Sequence, residues 1–208
     1  MAQFLNAIND GRTLLGSVTA TASPYIVFPN TLFNSAFPYY LLSWSNLGIG
    51  ANQTTAAVGW QWATGGGSPT YQTTTNNFVV NQSYVGGTAA SYALATPGIV
   101  ATDQVQLMNQ GSTYAIQTDL FDGNILLSFM NANLKPRIRF GVTYQGIPTG
   151  GNTGLTQTFG LGQNTTAGIY TSGRLVFNAG HGSVGTTYNF AAGGVVDVYG
   201  LMLPVGVY

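Results

Sequence analysis

Beyond residue 25 the chain runs in short stretches of β-branched and aromatic residues cut by Gly, Pro and Asn, and no window holds a helical period for long. The alternation predicts strands over residues 25–28, 39–47, 56–63, 77–84, 91–94, 104–108, 113–121, 125–131, 137–145, 155–159, 168–178 and 195–203. The sharpest local signal is Asp122-Gly123 between two such runs. Asp-Gly suits the positive φ angles of a type I′ turn, so residues 113–130 read as a tight hairpin. Ahead of the strands, Phe4, Leu5 and Ile8 fall at helical spacing before a Gly11 stop, with Leu14 and Leu15 beyond it, which predicts a short amphipathic helix.

The connections over residues 64–76 and 147–154 are rich in small polar residues, and strand-like sequence of the same composition continues on both sides, so they read as loops within one domain. No fixed-period repeat of the solenoid or propeller kind occurs. Short strands at this spacing, with loops long enough to cross between sheets, predict an all-β fold, an antiparallel β-sandwich or jelly roll. The expected organisation is an N-terminal helical arm over residues 1–20 and a single domain over 21–208.

Composition changes the picture in one respect. Charged residues are 5% of the 208, against roughly 25% in ordinary soluble domains, and there is no Glu. The chain is nevertheless 45% hydrophobic and 12% aromatic, enough apolar material to offset ordering entropy, which excludes a disordered chain. A free monomer with so little charge has weak colloidal repulsion. Either much of its surface is covered in an assembly, or it works in acidic water where carboxylates are protonated and charge solubilises little. The absence of Cys excludes disulfides and thiolate metal sites. The first ten residues lack the basic start and apolar run of a secretory signal, so synthesis in the host cytoplasm is expected. Residues 190–208 contain Asp197 and Pro204 and read as a buried final strand, not a membrane span.

Candidate chemistry is sparse, and no catalytic, metal or cofactor site is expected. His181, the sole histidine, sits in Asn178-Ala-Gly-His-Gly-Ser-Val-Gly185 with no carboxylate near it to orient an imidazole. The same segment formally matches G-x-G-x-x-G through Gly180, Gly182 and Gly185, but no helix follows, so dinucleotide binding is not expected. Asp119 and Asp122 are the only carboxylate pair close in sequence, as a glycosidase or calcium site would need, but neither an EF-hand spacing nor an Asp-Thr-Gly motif is present, and turn chemistry accounts for Asp122. Asn52, Asn81 and Asn164 begin N-x-[ST] sequons that read as chance in a chain rich in Asn and Thr. In Lys135-Pro-Arg-Ile-Arg139 a strand would turn Lys135, Arg137 and Arg139 to one side and Ile138 and Phe140 to the other. That basic patch is either a solvated or salt-bridged face, with Asp119 or Asp103 opposite, or a contact for an acidic partner such as lipid headgroups or nucleic acid. Trp60 and Trp62 share a parity, so they pack together in a core or interface or form a platform for sugars.

Strand number, Gly/Thr/Asn-rich loops and the lack of charge and Cys over residues 25–203 resemble the single jelly-roll capsid proteins of icosahedral viruses, particularly those of prokaryotes from hot or acidic water. The resemblance implies two four-stranded sheets, self-assembly with copies of itself and other capsid proteins, location in the virion, and a shell enclosing the genome, sometimes over a membrane. It implies no small-molecule substrate and no enzymatic activity. Many such proteins carry a strongly basic arm, whereas this N-terminus has only Arg12, which speaks against direct genome packaging by this subunit. The alternative function is a binding module, a receptor- or carbohydrate-binding spike or filament subunit, using Trp60 and Trp62 or the Gly-rich loops.

Overall fold

The computed structural model describes residues 11–34, 36–50, 57–73, 78–88, 91–95, 98–102, 104–108, 114–116, 120–148, 154–178 and 188–202. Among these, every regular element except a 3-10 turn at Asn30–Leu32 is a strand. In chain order they are β1 (Arg12–Thr19), β2 (Tyr25–Phe28), β3 (Tyr39–Leu47), β4 (Ala57–Thr64), β5 (Thr70–Tyr71), β6 (Phe78–Thr88), β7 (Ser91–Ala95), β8 (Gly98–Thr102), β9 (Val105–Gln106), β10 (Tyr114–Ile116), β11 (Phe121–Ser128), β12 (Arg137–Pro148), β13 (Gly154–Asn164), β14 (Ser172–Asn178) and β15 (Val195–Leu201).

They form two antiparallel sheets. The larger runs β1-β15-β3-β11-β12-β13-β6-β7, with β10 on β12 and β8 on β6; the smaller runs β2-β14-β4-β5, with β9 on β4. Four of the pairings are nested in sequence: β1 with β15, β2 with β14, β3 with β11, and β4 with β9. Successive members of this nested set alternate between the sheets, so the chain wraps around one core instead of finishing one sheet before starting the other. Of the remaining strands, β5 extends the smaller sheet at β4, and β6 to β8, β10, β12 and β13 widen the larger sheet beyond β11.

The core follows from period-two alternation. On β3, Tyr40, Leu42 and Trp44 point inward; Asn46, at φ 58°, breaks the alternation and lets Leu47 face inward as well. Ile125 and Leu127 of β11, Ile138, Phe140 and Val142 of β12, and Val196 and Val198 of β15 complete the inner face of the larger sheet. The smaller sheet contributes Ile26, Phe28, Val58, Trp60, Trp62, Leu175 and Phe177. Trp60 and Trp62 meet edge to face at 6.4 Å, and Trp60 lies 5.7 Å from Phe28. The indole occupies space that a side chain at Gly173 would fill, since a Cβ there would come within 2.2 Å of Trp60 Cζ2. The buried amides of Gln104 and Asn178 exchange two 3.0 Å hydrogen bonds.

The fold class agrees with the sequence reading as an all-β, two-sheet sandwich, and two local expectations fail. Residues 12–19 are not a helical arm but β1, an edge strand on β15; residues 1–10, with Phe4, Leu5 and Ile8, lie outside the described residues. A bulge between Leu14 and Gly16 shifts the register, so Leu15 and Val18 both pack against the core while Leu14 faces outward.

Asp122-Gly123 is not a turn either. It lies inside β11, paired to β3 on one side and β12 on the other, and β10 pairs with β12, not with β11. Gly123 is needed for space: a Cβ there would come within 2.4 Å of Trp44 Cζ2. Asp122 accepts a 2.7 Å hydrogen bond from the Asn46 backbone N–H, holding that left-handed residue in place. The reversal comes instead at residues 129–136 between β11 and β12, where Phe129 and Asn133 take positive φ.

Candidate functional site

The outer face of the larger sheet gathers most of the charged side chains among the described residues. Register places Leu201, Tyr39, Ser128, Arg137 and Gln163 in one row across β15, β3, β11, β12 and β13, with Arg12 of β1 beside Leu201. The next row is Leu14, Tyr199, Leu41, Leu126, Arg139 and Leu161. A third holds Ser17, Asp197, Ser43, Asn124, Gly141 and Phe159, and a fourth carries Val195 and Asp122. The cations therefore occupy one end of the face and the carboxylates the other. Of the charged side chains among the described residues, only Arg174 is elsewhere.

Lys135, Arg137 and Arg139 are all exposed, with Ile138 and Phe140 buried between and beyond them, as their spacing predicts. Lys135 precedes β12; only the two arginines stand on the strand. The Arg137 guanidinium lies 5.6 Å from the Phe129 ring. No carboxylate among the described residues pairs with either arginine, and the expected partners Asp103 and Asp119 lie outside those residues.

Both arginines line a depression of about 630 Å³ whose other walls include Tyr39, Leu126, Phe129, Leu161 and Leu201. Large apolar side chains on this face stand in solvent: Leu161 is 54% exposed, Leu14 in the same row 56% and Phe159 in the next row 44%. At the acidic end a polar hollow of about 340 Å³ is lined by Ser43, Ser45, Asn46 and Asp197, with Ser17 Oγ donating to Asp197 at 2.5 Å.

The other sequence candidates fall elsewhere. Trp60 and Trp62 do share a face, but it is the core face: both rings are 0% exposed, so neither offers a surface for a sugar, because inward parity on β4 points them at the opposite sheet. His181, Gly180, Gly182, Gly185, Asp119 and Asn52 lie outside the described residues. Asn164 is buried, its Oδ1 accepting from the Thr166 N–H, which leaves this sequon closed to glycosylation in the folded chain. Among the described residues no three His, Cys, Asp or Glu side chains converge.

One cluster escaped the sequence reading. Arg174 of β14 lies between the rings of Tyr25 and Tyr71, 4.0 Å from each, and its Nε donates to Gln61 Oε1 at 2.8 Å. Burial lowers the Arg174 pKa, an effect the two neighbouring phenols oppose, and burial raises that of Tyr71. Gln61 lies directly opposite Arg174 on β4 and Tyr25 diagonally from it on β2, so they meet only when β2, β14 and β4 pair, and no local pattern signals that.

Chemically, the outer face can bury apolar surface and match charge. No protein-family model, curated protein or solved structure matches the chain.

Proposed function

We propose that this chain is a structural virion protein, a capsid subunit that self-assembles into a shell and does no chemistry. The observation that carries the reading is the outer face of the larger sheet, where large aliphatic and aromatic side chains stand in solvent on a protein almost without charge to keep copies apart. Covering that face with protein removes apolar surface from water, at about 25 cal/mol per Å².

The jelly-roll part of the proposal is supported by strand order. Eight strands, β1, β2, β3, β4, β9, β11, β14 and β15, nest as first with last, second with second-last and so on inward, and divide into β1-β15-β3-β11 and β2-β14-β4-β9. A long hairpin rolled around its own core has this order. The carbohydrate-platform alternative loses its residues with the burial of Trp60 and Trp62.

Mass photometry and electron microscopy of the purified chain at neutral and acidic pH test the proposal. Closed or sheet-like assemblies are expected at one or both; a monomer at high concentration under both conditions would refute it.

A further inference from the structure

We infer that the outer face of the larger sheet is an isologous interface, covered in the assembly by the same face of a second copy turned about a two-fold axis across the strands. The inference rests on self-assembly as proposed above and names the surface that carries it.

Three observations lead there. First, the charges are sorted by sign along the strand direction: Arg12, Arg137 and Arg139 in the first two rows, with Lys135 just beyond, and Asp197 and Asp122 in the last two. Arg137 and the Asp122 row are six residues apart along β12, about 20 Å at strand rise. That exceeds the Debye length of about 8 Å at physiological salt, so the Asp122 row does not compensate Arg137 within one copy. Second, a two-fold axis in the plane of the face and perpendicular to the strands lays the cationic end of one copy over the acidic end of the other, and does so twice. Third, apolar Tyr39, Leu126, Leu161 and Leu201 stand in the cationic rows and the exposed Phe159 and Val195 in the acidic rows, so laying one end over the other also buries apolar side chains.

The same sorting argues against other anionic occupants. A lipid bilayer or a polynucleotide lying along the face would meet Arg137 and Arg139 favourably but would also press phosphates against Asp197 and Asp122. A second copy satisfies both ends.

The test is charge complementation. One variant, Arg137→Asp with Arg139→Asp, leaves the cationic end carrying carboxylates; a second, Asp122→Asn with Asp197→Lys, adds positive charge at the acidic end. The asparagine keeps an Oδ1 acceptor for the Asn46 N–H, and all four sites are at the surface, so melting curves close to wild type are expected.

Analytical ultracentrifugation of wild type, each variant and an equimolar mixture then decides. Each variant alone is expected to associate at least about a hundredfold more weakly than wild type, and the mixture to recover association in mixed pairs. Variants that associate as wild type does would overturn this interface and leave self-assembly standing. A wild-type chain that never associates would overturn both. Loss of association without recovery in the mixture overturns the inference, and if wild type alone binds phosphatidylglycerol vesicles, the face belongs to anionic lipid.

Discussion

Replacing Trp60 by alanine separates a core residue from a ligand platform. The ring is wholly buried, in contact with Phe28 and Trp62 and seated over Gly173. Truncating a buried tryptophan costs about 3–5 kcal/mol through lost transfer energy and the cavity left behind. Part of this is returned, because Trp60 Nε1 is buried without an acceptor, and removing an unpaired polar group relieves about 1–3 kcal/mol. The net expectation is a loss of about 2–3 kcal/mol, and at about 2–4 °C per kcal/mol for a domain of this size the melting temperature falls by about 4–12 °C. Gly173→Ala alone should also destabilise, by about 1–3 kcal/mol, since its Cβ collides with the indole. In the Trp60→Ala background that Cβ enters vacated space, so the two changes should cost less together than their sum. The assay is thermal and urea unfolding of the four chains in a double-mutant cycle, with a glycan array on each. Strict additivity, or an unchanged melting temperature with loss of sugar binding in Trp60→Ala, would refute the placement of this residue in the core.

Gly123→Ala should destabilise by about 1–3 kcal/mol, and Trp44→Leu should relieve most of that cost; a residue in an Asp-Gly turn would show no coupling to Trp44 in the same urea titrations. Arg174→Lys should lose about 1–2 kcal/mol, because an ammonium cannot stack between Tyr25 and Tyr71 while donating to Gln61, whereas a change under a few tenths of a kcal/mol would contradict the sandwich. Burial raises the pKa of Tyr40, Tyr71 and Tyr170, so above pH 10 the folded chain holds more protons than the unfolded one. Stability is then full below the ordinary tyrosine pKa of about 10 and falls as pH rises beyond it. The last part of the tyrosinate absorbance should appear together with loss of near-ultraviolet circular dichroism; ionisation of all twelve tyrosines in a chain that stays folded would count against the buried phenols.

Much of the fold was legible because a strand buried on one face writes its periodicity into the chain. Residues 25–28 and 39–47 were read with the bounds they have, and Ile138 and Phe140 were placed inside and Arg137 and Arg139 outside from parity alone. The depletion of charge, and with it the case for a covered surface, is likewise a property of the sequence. Tertiary structure decided everything that depends on which strands become neighbours. Residues 12–19 joined the larger sheet because β15 lies beside them, and the Asp-Gly pair joined a strand because Trp44 needed a residue without a side chain across from it. Parity fixed that Trp60 and Trp62 point the same way, but only the second sheet made that direction the interior. The sorting of charge on the outer face joins residues from both ends and the middle of the chain, Arg12, Asp122, Arg137 and Asp197. Register between distant strands created that face, and no local signal could have announced it, since hydrophobic pattern sets which side of a strand is buried and not which strand lies beside it.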